Sequence, residues 1–268
     1  MLRTENISYR IGKKSILNRI SAEFHPGEFN MILGPNGSGK STFLKIFSGE
    51  MNANDGNVFY NEKPIRSIKT GELAKFRAVM SQQPELSFPL TVDEVVMMGR
   101  YPHFNFNPNK KDEAICGEVM QRMNLQSFAD RNYLTLSGGE KQRVQFARVL
   151  AQVWEQPTNG YRYLFLDEPL ASLDIKYQQE FLQLAREFTN KGTIVAAVIH
   201  DINLAIQFAD KLIFLQEGQV AAQGKPADVL TEALIKKVFD VTTTIMTNPV
   251  SGIPLVVFNN SSSTGKDQ

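Results

Sequence analysis

Apolar residues in this chain occur either as short unbroken runs or as spaced series, and the two patterns predict different elements. Leu2 to Tyr9, Ile20 to Phe24 and Glu28 to Leu33 read as strands, with Pro26-Gly27 turning between the last two. From Ser41 to Ser48 the apolar positions Phe43, Leu44 and Phe47 take helical spacing. Val58 to Tyr60 is a further short strand. Residues 92–152 are mostly helical in pattern, with Val92, Val95 and Val96 and later Val119 and Met123 on apolar faces. Three continuous apolar runs follow, Tyr163 to Leu166, Ile194 to Ile199 and Lys211 to Leu215, as expected of strands covered on both faces. Helices are expected between them, at 175–190 and 202–209. Strand and helix in alternation predict an α/β core around a mostly parallel sheet, preceded by an antiparallel β portion. The helical stretch ahead of Tyr163 reads as an inserted subdomain. The expected division is one domain over 1–258, with its core at 1–84 and 150–258, helices at 85–149, and a disordered polar tail over 259–268.

Composition narrows the function. The net charge is +1, from 29 basic and 28 acidic residues, so nothing points to a nucleic-acid face. Lys110-Lys111 reads as a solvated helix start. The single cysteine, Cys116, allows no internal disulfide and reads as a small buried apolar residue. Met1 to Arg10 reads as a strand rather than a signal peptide. The longest apolar runs fall far short of the ~20 residues a membrane-spanning helix needs, so work at a membrane would go through a partner.

The chemistry begins at Gly34-Pro-Asn-Gly-Ser-Gly-Lys-Ser41, which fits the phosphate-loop pattern G-x-x-x-x-G-K-[ST] between an apolar strand and a helix. Glycines allow the backbone N–H groups of such a loop to approach phosphate oxygens, and the following helix N-terminus favours an anion. Gly34, Pro35, Asn36, Gly37, Ser38, Gly39, Lys40, Ser41 and Thr42 are the candidate ATP-binding residues. Lys40 would supply charge to the β- and γ-phosphates, and the Ser41 hydroxyl would ligate Mg²⁺. Tyr163-Leu-Phe-Leu-Asp-Glu168 ends an apolar strand in two carboxylates, at the sheet edge where open α/β sheets bind ligands. Asp167 would hold Mg²⁺, and Glu168 would polarise the attacking water. Asp-Glu-Pro is also a common way out of a strand, a plainer reading that the phosphate loop makes much weaker.

With these two motifs in place, the chain resembles the nucleotide-binding domains of ABC transporters over nearly its whole length. Leu136-Ser-Gly-Gly-Glu140, followed by Lys141-Gln142-Arg143, is similar to the family signature. The resemblance implies a P-loop NTPase (RecA-like) core and a head-to-tail dimer. In that dimer Ser137, Gly138, Gly139 and Glu140 of one copy would close over ATP held by the other. Three further matches follow in order. Gln82 resembles the glutamine that touches Mg²⁺ and the attacking water, with Gln83 a weaker choice. Asp174, in Ala171-Ser-Leu-Asp174, resembles the loop that meets the second copy. His200 resembles the switch histidine on the γ-phosphate. His25 and His103 carry no catalytic expectation.

Two departures stand out. Where the family usually stacks an aromatic on adenine, before a glycine of the first hairpin, this chain has Ile11 and Gly12, with Tyr9 two residues earlier. The segment Gln152 to Arg162 is several residues longer than usual, mostly polar, and expected to be a surface loop. As given, the chain carries no membrane segment, which resembles bacterial importers with a separate permease. Val92-Asp-Glu-Val95 followed by Gly99-Arg-Tyr-Pro-His103 is similar to the iron–siderophore, haem and vitamin B12 importer subfamily. Tyr-Pro-His can also be a plain helix stop. The long segment before Tyr163 and the ending Asn248-Pro-Val-Ser-Gly-Ile-Pro254 most resemble its haem-importer ATPases, with siderophore or vitamin B12 import the alternative. The resemblance implies a peripheral ATPase on the cytoplasmic face of a bacterial inner membrane. Its partners would be a second copy, a two-copy permease and, through the complex, a periplasmic binding protein. Arg100 and Tyr101 are expected to face that permease. ABC ATPases of DNA repair or translation fit less well. Only 97 residues separate Lys40 from Ser137, too few for the repair type's coiled coil, and the translation type carries two phosphate loops. A non-hydrolysing regulator would lack Glu168.

Overall fold

A computed structural model describes residues 1–81 and 86–259. Gln82 and Gln83 lie outside the described residues, as does the expected tail beyond Asn259. The strands are β1 Leu2–Ile11, β2 Lys14–Phe24, β3 Phe29–Leu33, β4 Asp55–Tyr60, β5 Lys63–Pro64 and β6 Arg77–Met80. They continue as β7 Tyr163–Asp167, β8 Ile194–Val198, β9 Lys211–Gln216, β10 Gln219–Gly224, β11 Thr243–Thr247 and β12 Pro254–Phe258. The α-helices are α1 Lys40–Ser48, α2 Thr70–Leu73, α3 Val92–Met97, α4 Lys110–Arg122 and α5 Gly138–Gln152. After them come α6 Ile175–Asn190, α7 Ile202–Phe208, α8 Pro226–Val229 and α9 Glu232–Phe239.

Six strands form the main sheet in the order β10-β9-β3-β8-β7-β6, parallel throughout except for β10. Every residue of β3, β7 and β8 is buried, because both faces of this sheet are covered. Alternate residues go to opposite sides. Ile32, Phe165, Ala196 and Ile213 pack with Phe43, Leu44 and Phe47 of α1 under the antiparallel sheet β2-β1-β4-β5. Met31, Leu164, Leu166, Ala197 and Phe214 pack with the residues of α3 to α7 on the other side. The unbroken apolar runs in the sequence are the direct trace of this double burial.

Several elements differ from the sequence expectation. The second strand begins at Lys14, because its outward positions are polar and its inward ones, Leu17, Ile20 and Ala22, are widely spaced. The edge strand β6 and the terminal ribbon of β11 and β12 were not expected, since strands of four or five residues are too short to show a periodicity. Asn259 is ordered, its backbone N–H donating to Thr242 at 3.0 Å. Residues 92–152 are helical in three parts, with a 3-10 turn over Met98–His103 following α3 directly. The segment 152–162 is a surface loop only in its middle. Gln152 ends α5, Trp154 packs on Phe188 at 5.6 Å, and Arg162 is buried with its guanidinium on the carbonyls of Trp154 and Lys191. Arg100, expected to face a permease, is 1% exposed. Its guanidinium finds two carboxylates and a helix-end carbonyl inside the protein, the pairing that a buried charge requires. Tyr101, the other residue expected there, is exposed.

Phe47 joins the two sheets most directly. Its ring centroid lies 4.9 Å from both Phe24 and Phe43 and 5.1 Å from Phe165. Phe47→Ala is expected to lower unfolding free energy by about 3–5 kcal/mol, measurable by denaturant titration.

Candidate phosphate site at the sheet edge

Parallel pairing of β3, β8, β7 and β6 brings their carboxyl ends to one edge of the sheet. The Gly34–Gly39 loop leaves β3, Asp167 ends β7, and His200 follows β8 by two residues. The strand before Gln82, β6, ends at the same edge. Three stretches far apart in sequence, and the end of β6, thus meet at one edge because their strands are neighbours.

The loop is built for close approach. Gly34 has φ +153°, and a Cβ there would meet the Leu215 carbonyl oxygen at 2.2 Å. Ser38 is buried with its hydroxyl unpartnered. Its backbone is held from behind, where Gly218 N–H donates to the Ser38 carbonyl at 3.2 Å and Asn18 N–H to the Gly218 carbonyl at 2.8 Å. Lys40 opens α1 and turns back onto the loop, its Nζ donating to the carbonyls of Gly34 at 2.9 Å and Pro35 at 3.0 Å. Burial holds the Lys40 ammonium below its ordinary pKa, against the pull of Glu168 and Asp167. A buried ammonium and an unpartnered hydroxyl in one loop at a helix N-terminus suit an anion.

Across from the loop, the Ser41 hydroxyl donates to Asp167 Oδ1 at 2.8 Å. Burial raises the Asp167 pKa, with the Ser41 bond and Lys45 opposing that shift. Glu168 then turns into the left-handed region at φ +50°. This costs a non-glycine residue about 1–2 kcal/mol, and such outliers concentrate at working sites. His200 Nε2 lies 2.9 Å from Glu168 Oε1. An ionised carboxylate only accepts, so the imidazole donates there. A cleft of about 200 Å³ opens beside this pair, lined in part by Glu168, Leu170, His200 and Asp201.

The signature residues start α5. Ser137 is the N-cap, its hydroxyl accepting from Glu140 N–H at 3.3 Å, while Glu140 Oε2 accepts from Ser137 N–H at 2.8 Å. The bond from Ser137 N–H lowers the pKa of the Glu140 carboxyl from its ordinary value. A Cβ on Gly139 would stand 3.3 Å from the Ser172 carbonyl oxygen, so the helix start rests on the loop that follows Glu168. Gln142 Nε2 reinforces this, donating to the Pro169 carbonyl at 2.7 Å. Asp174 closes the same loop by capping α6, accepting from Tyr177 N–H at 3.0 Å.

The structure thus gathers residues 34–42, Asp167, Glu168 and His200 at the sheet edge, and joins Ser137–Glu140 to the loop 169–174. Sequence reasoning placed Ser38 in the phosphate loop but gave no separate role to Gln142, since a glutamine inside a helix has no distinguishing pattern. Ile11 is exposed beside the first hairpin turn, and Tyr9 is partly buried against the core under the antiparallel sheet.

The raised pKa of Asp167 has a testable sign. A folded-state pKa above the unfolded one favours the folded protein at pH below the ordinary carboxylate range, and that contribution is lost as pH rises through the raised pKa. Asp167→Asn removes this contribution and can keep the Ser41 contact. In the nucleotide-free protein the variant should gain stability relative to the parent as pH rises from about 3 to 7, read by urea unfolding across that range.

The sequence profile described as ABC transporter matches residues 17–171. The Hemin import ATP-binding protein HmuV of Gloeobacter violaceus is 44% identical over 257 residues, 96% of this chain and 94% of that protein. The protein of the same name from Escherichia coli O157:H7 is 39% identical over 97% of this chain and 100% of its own length. Among solved structures, a dimeric bacterial ABC transporter cassette has TM-score 0.73 and 29% identity, covering 84% of this chain and 98% of that one. An ATP-binding cassette in its ADP conformation has TM-score 0.76 at 24% identity, covering 90% and 97%, a likeness of fold alone. The profile spans more than half of the chain, over the phosphate loop, the signature and the carboxylate strand. With full-length relatives above 30% identity and the same fold beside it, the chain belongs to the ABC transporter family.

Proposed function

We propose that this chain is the ATP-hydrolysing subunit of a bacterial ABC importer, and that its cargo is haem. The observation that carries the enzymatic part is the meeting of the Gly34–Thr42 loop, Asp167 and the Glu168–His200 pair at one sheet edge. The cargo rests on the hemin importers' names and on identity of about 40% over nearly the whole chain.

The phosphates of ATP settle on the loop N–H groups and the start of α1. Lys40 exchanges the Gly34 and Pro35 carbonyls for the β- and γ-phosphates, and the Ser38 hydroxyl gains the partner it lacks. Ser41 and Asp167 fit Mg²⁺, because a hydroxyl beside a buried carboxylate supplies two hard oxygen donors to a cation that takes its remaining ligands from water and phosphate. Bound there, Mg²⁺ would neutralise charge on the phosphates. Glu168 orients the attacking water and takes its proton as oxygen bonds to the γ-phosphorus and the bond to ADP breaks. His200 steadies Glu168 and reaches the γ-phosphate, and Gln82 completes the water's surroundings. Ser137, Gly138, Gly139 and Glu140 of a second copy cover the γ-phosphate from the other side, with Asp174 in the adjoining loop. Two copies therefore close on two ATP molecules, and closure moves a separate two-copy permease at the segment that includes Tyr101. Among the described residues no helix is long and apolar enough to cross a membrane. In this reading the permease holds the subunit at the cytoplasmic face of the inner membrane. A periplasmic binding protein delivers the cargo from the far side.

Glu168→Gln keeps shape and the His200 contact but removes the base. Turnover should fall by about 10²-fold or more with ATP binding retained. Size-exclusion chromatography with MgATP should then show a stable dimer for the variant alone, and normal hydrolysis by the variant would remove Glu168 from this role.

The cargo is tested in vesicles holding the complex assembled with its native permease and binding protein. ATP-dependent accumulation of haem is expected, with none of a ferric siderophore or vitamin B12. The reverse pattern would overturn the cargo and leave the ATPase assignment intact.

A further inference from the structure

Arg100 sits at a junction that the phosphate chemistry does not use. Its Nε donates to Asp112 Oδ1 at 2.9 Å, one amino group to the Ala151 carbonyl at 2.9 Å, and the other to Glu155 Oε2 at 2.7 Å. Asp112 is the N3 residue of α4, and its other oxygen accepts from Asn109 N–H at 3.1 Å, so both carboxylate oxygens are engaged. Ala151 belongs to the last turn of α5, where carbonyls lack helical partners and a cation is favoured. Glu155 comes from the long segment after α5 and also pairs with Lys111. One buried guanidinium therefore joins the permease-side turn, the start of α4, the end of α5 and the long segment.

Neighbouring contacts make this end of α5 rigid. A Cβ on Gly99 would lie 2.1 Å from the Arg148 carbonyl oxygen, so the turn is pressed onto the helix backbone. His103 Nε2 lies 2.8 Å from the Gln152 carbonyl oxygen. The Gln152 side chain in turn donates to the carbonyls of Ala74 at 2.8 Å and Arg77 at 2.9 Å, at the entry to β6. The far end of α5 carries Ser137–Glu140, and a 15-residue helix spans about 22 Å.

We propose that Arg100 is a positioning residue that clamps the end of α5 to the Met98–His103 turn, with Glu155 of the long segment completing the clamp. A displacement of that turn by the permease is then delivered to the signature residues at the other end of the same helix. Arginine suits this task because its planar fork serves three acceptors in fixed directions, which an ammonium cannot. The proposal rests on the transport reading above and gives the long segment a purpose that its polar composition did not disclose.

The test compares isolated and permease-bound ATPase rates for Glu155→Gln, Glu155→Ala, Arg100→Lys and Arg100→Met in the full chain. Arg100→Met leaves Asp112 buried without its cation and can fail to fold, so the Glu155 variants, at the half-exposed edge of the cluster, carry the decision. The isolated rate of Glu155→Ala should stay within about twofold of the parent, while its permease-stimulated rate falls on the order of tenfold, a size usual for coupling between sites. Arg100→Lys should retain more stimulation than Arg100→Met. Hydrogen exchange supplies a second arm without the permease. In the Glu168→Gln background, MgATP should protect the amides of residues 98–103, and adding Glu155→Ala should abolish that change while protection at 137–142 persists. Equal loss of isolated and stimulated rates, or unchanged protection of 98–103, would overturn the clamp. A wild-type complex that shows no stimulation would sink the transport reading instead, and the exchange arm would still decide the clamp.

Discussion

The parallel ladder that runs from β3 through β8 to β7 is the constraint on which the rest of this molecule depends. Its register pairs Ile32 with Val198 and Asp167 with Val198, so the phosphate loop, His200 and the two carboxylates leave the sheet at matching heights. Parallel strands cannot be joined by tight turns, so helices must cross the faces of the sheet. Those helices bury the alternate side chains, and the double burial makes register slippage expensive. The site geometry is therefore fixed by packing remote from the site. Phe47, held between Phe24, Phe43 and Phe165, is one of the side chains that keep α1, and with it Lys40, against the ladder.

Around that edge the charges are arranged under tension. Lys40 is desolvated and bonded to its own loop, Asp167 is desolvated and bonded to Ser41, and Glu168 occupies a left-handed backbone position. Each of these arrangements has a cost in the nucleotide-free protein. A polyphosphate with its cation relieves the first two, because it brings negative charge to Lys40 and positive charge to Asp167. Differential interaction of this kind is what allows a ligand to bias a conformational equilibrium. The loop from Pro169 to Asp174 lies next in line. It begins beside Glu168, accepts the Gln142 amide, supports Gly139 and ends as the cap of α6. Glu168 and the helix that begins with Ser137–Glu140 thus share one short piece of backbone.

At its other end the signature helix meets a second polar junction, where Arg100 and His103 take up the carbonyls of Ala151 and Gln152. Buried ion clusters add little net stability compared with apolar packing of the same volume, but they are strict about geometry. That property suits a joint that sets the position of one element on another better than it suits a core.

The sequence by itself determined the chemistry and the layering. Phosphate-loop spacing, an apolar strand ending in Asp167 and Glu168, a serine-capped helix with paired glycines, and His200 after a buried strand are all local patterns. Local patterns survive in one dimension because each is imposed by the backbone conformation or the single ligand it serves. The continuous runs of β7, β8 and β9 likewise report burial on both faces wherever the strands lie in the sheet. The tertiary structure decided what depends on neighbours distant along the chain. Arg100 read as a surface donor because a sequence shows its charge but not Asp112 and Glu155 around it. The segment 152–162 read as solvent loop because its polar residues are indistinguishable from surface ones until Arg162 and Glu155 are seen with their partners. Strands as short as β6 and β11 form because an edge or a partner strand is already present, and no periodicity of their own announces them. A residue's type fixes what it can bond, while only the fold fixes what stands within 3 Å of it.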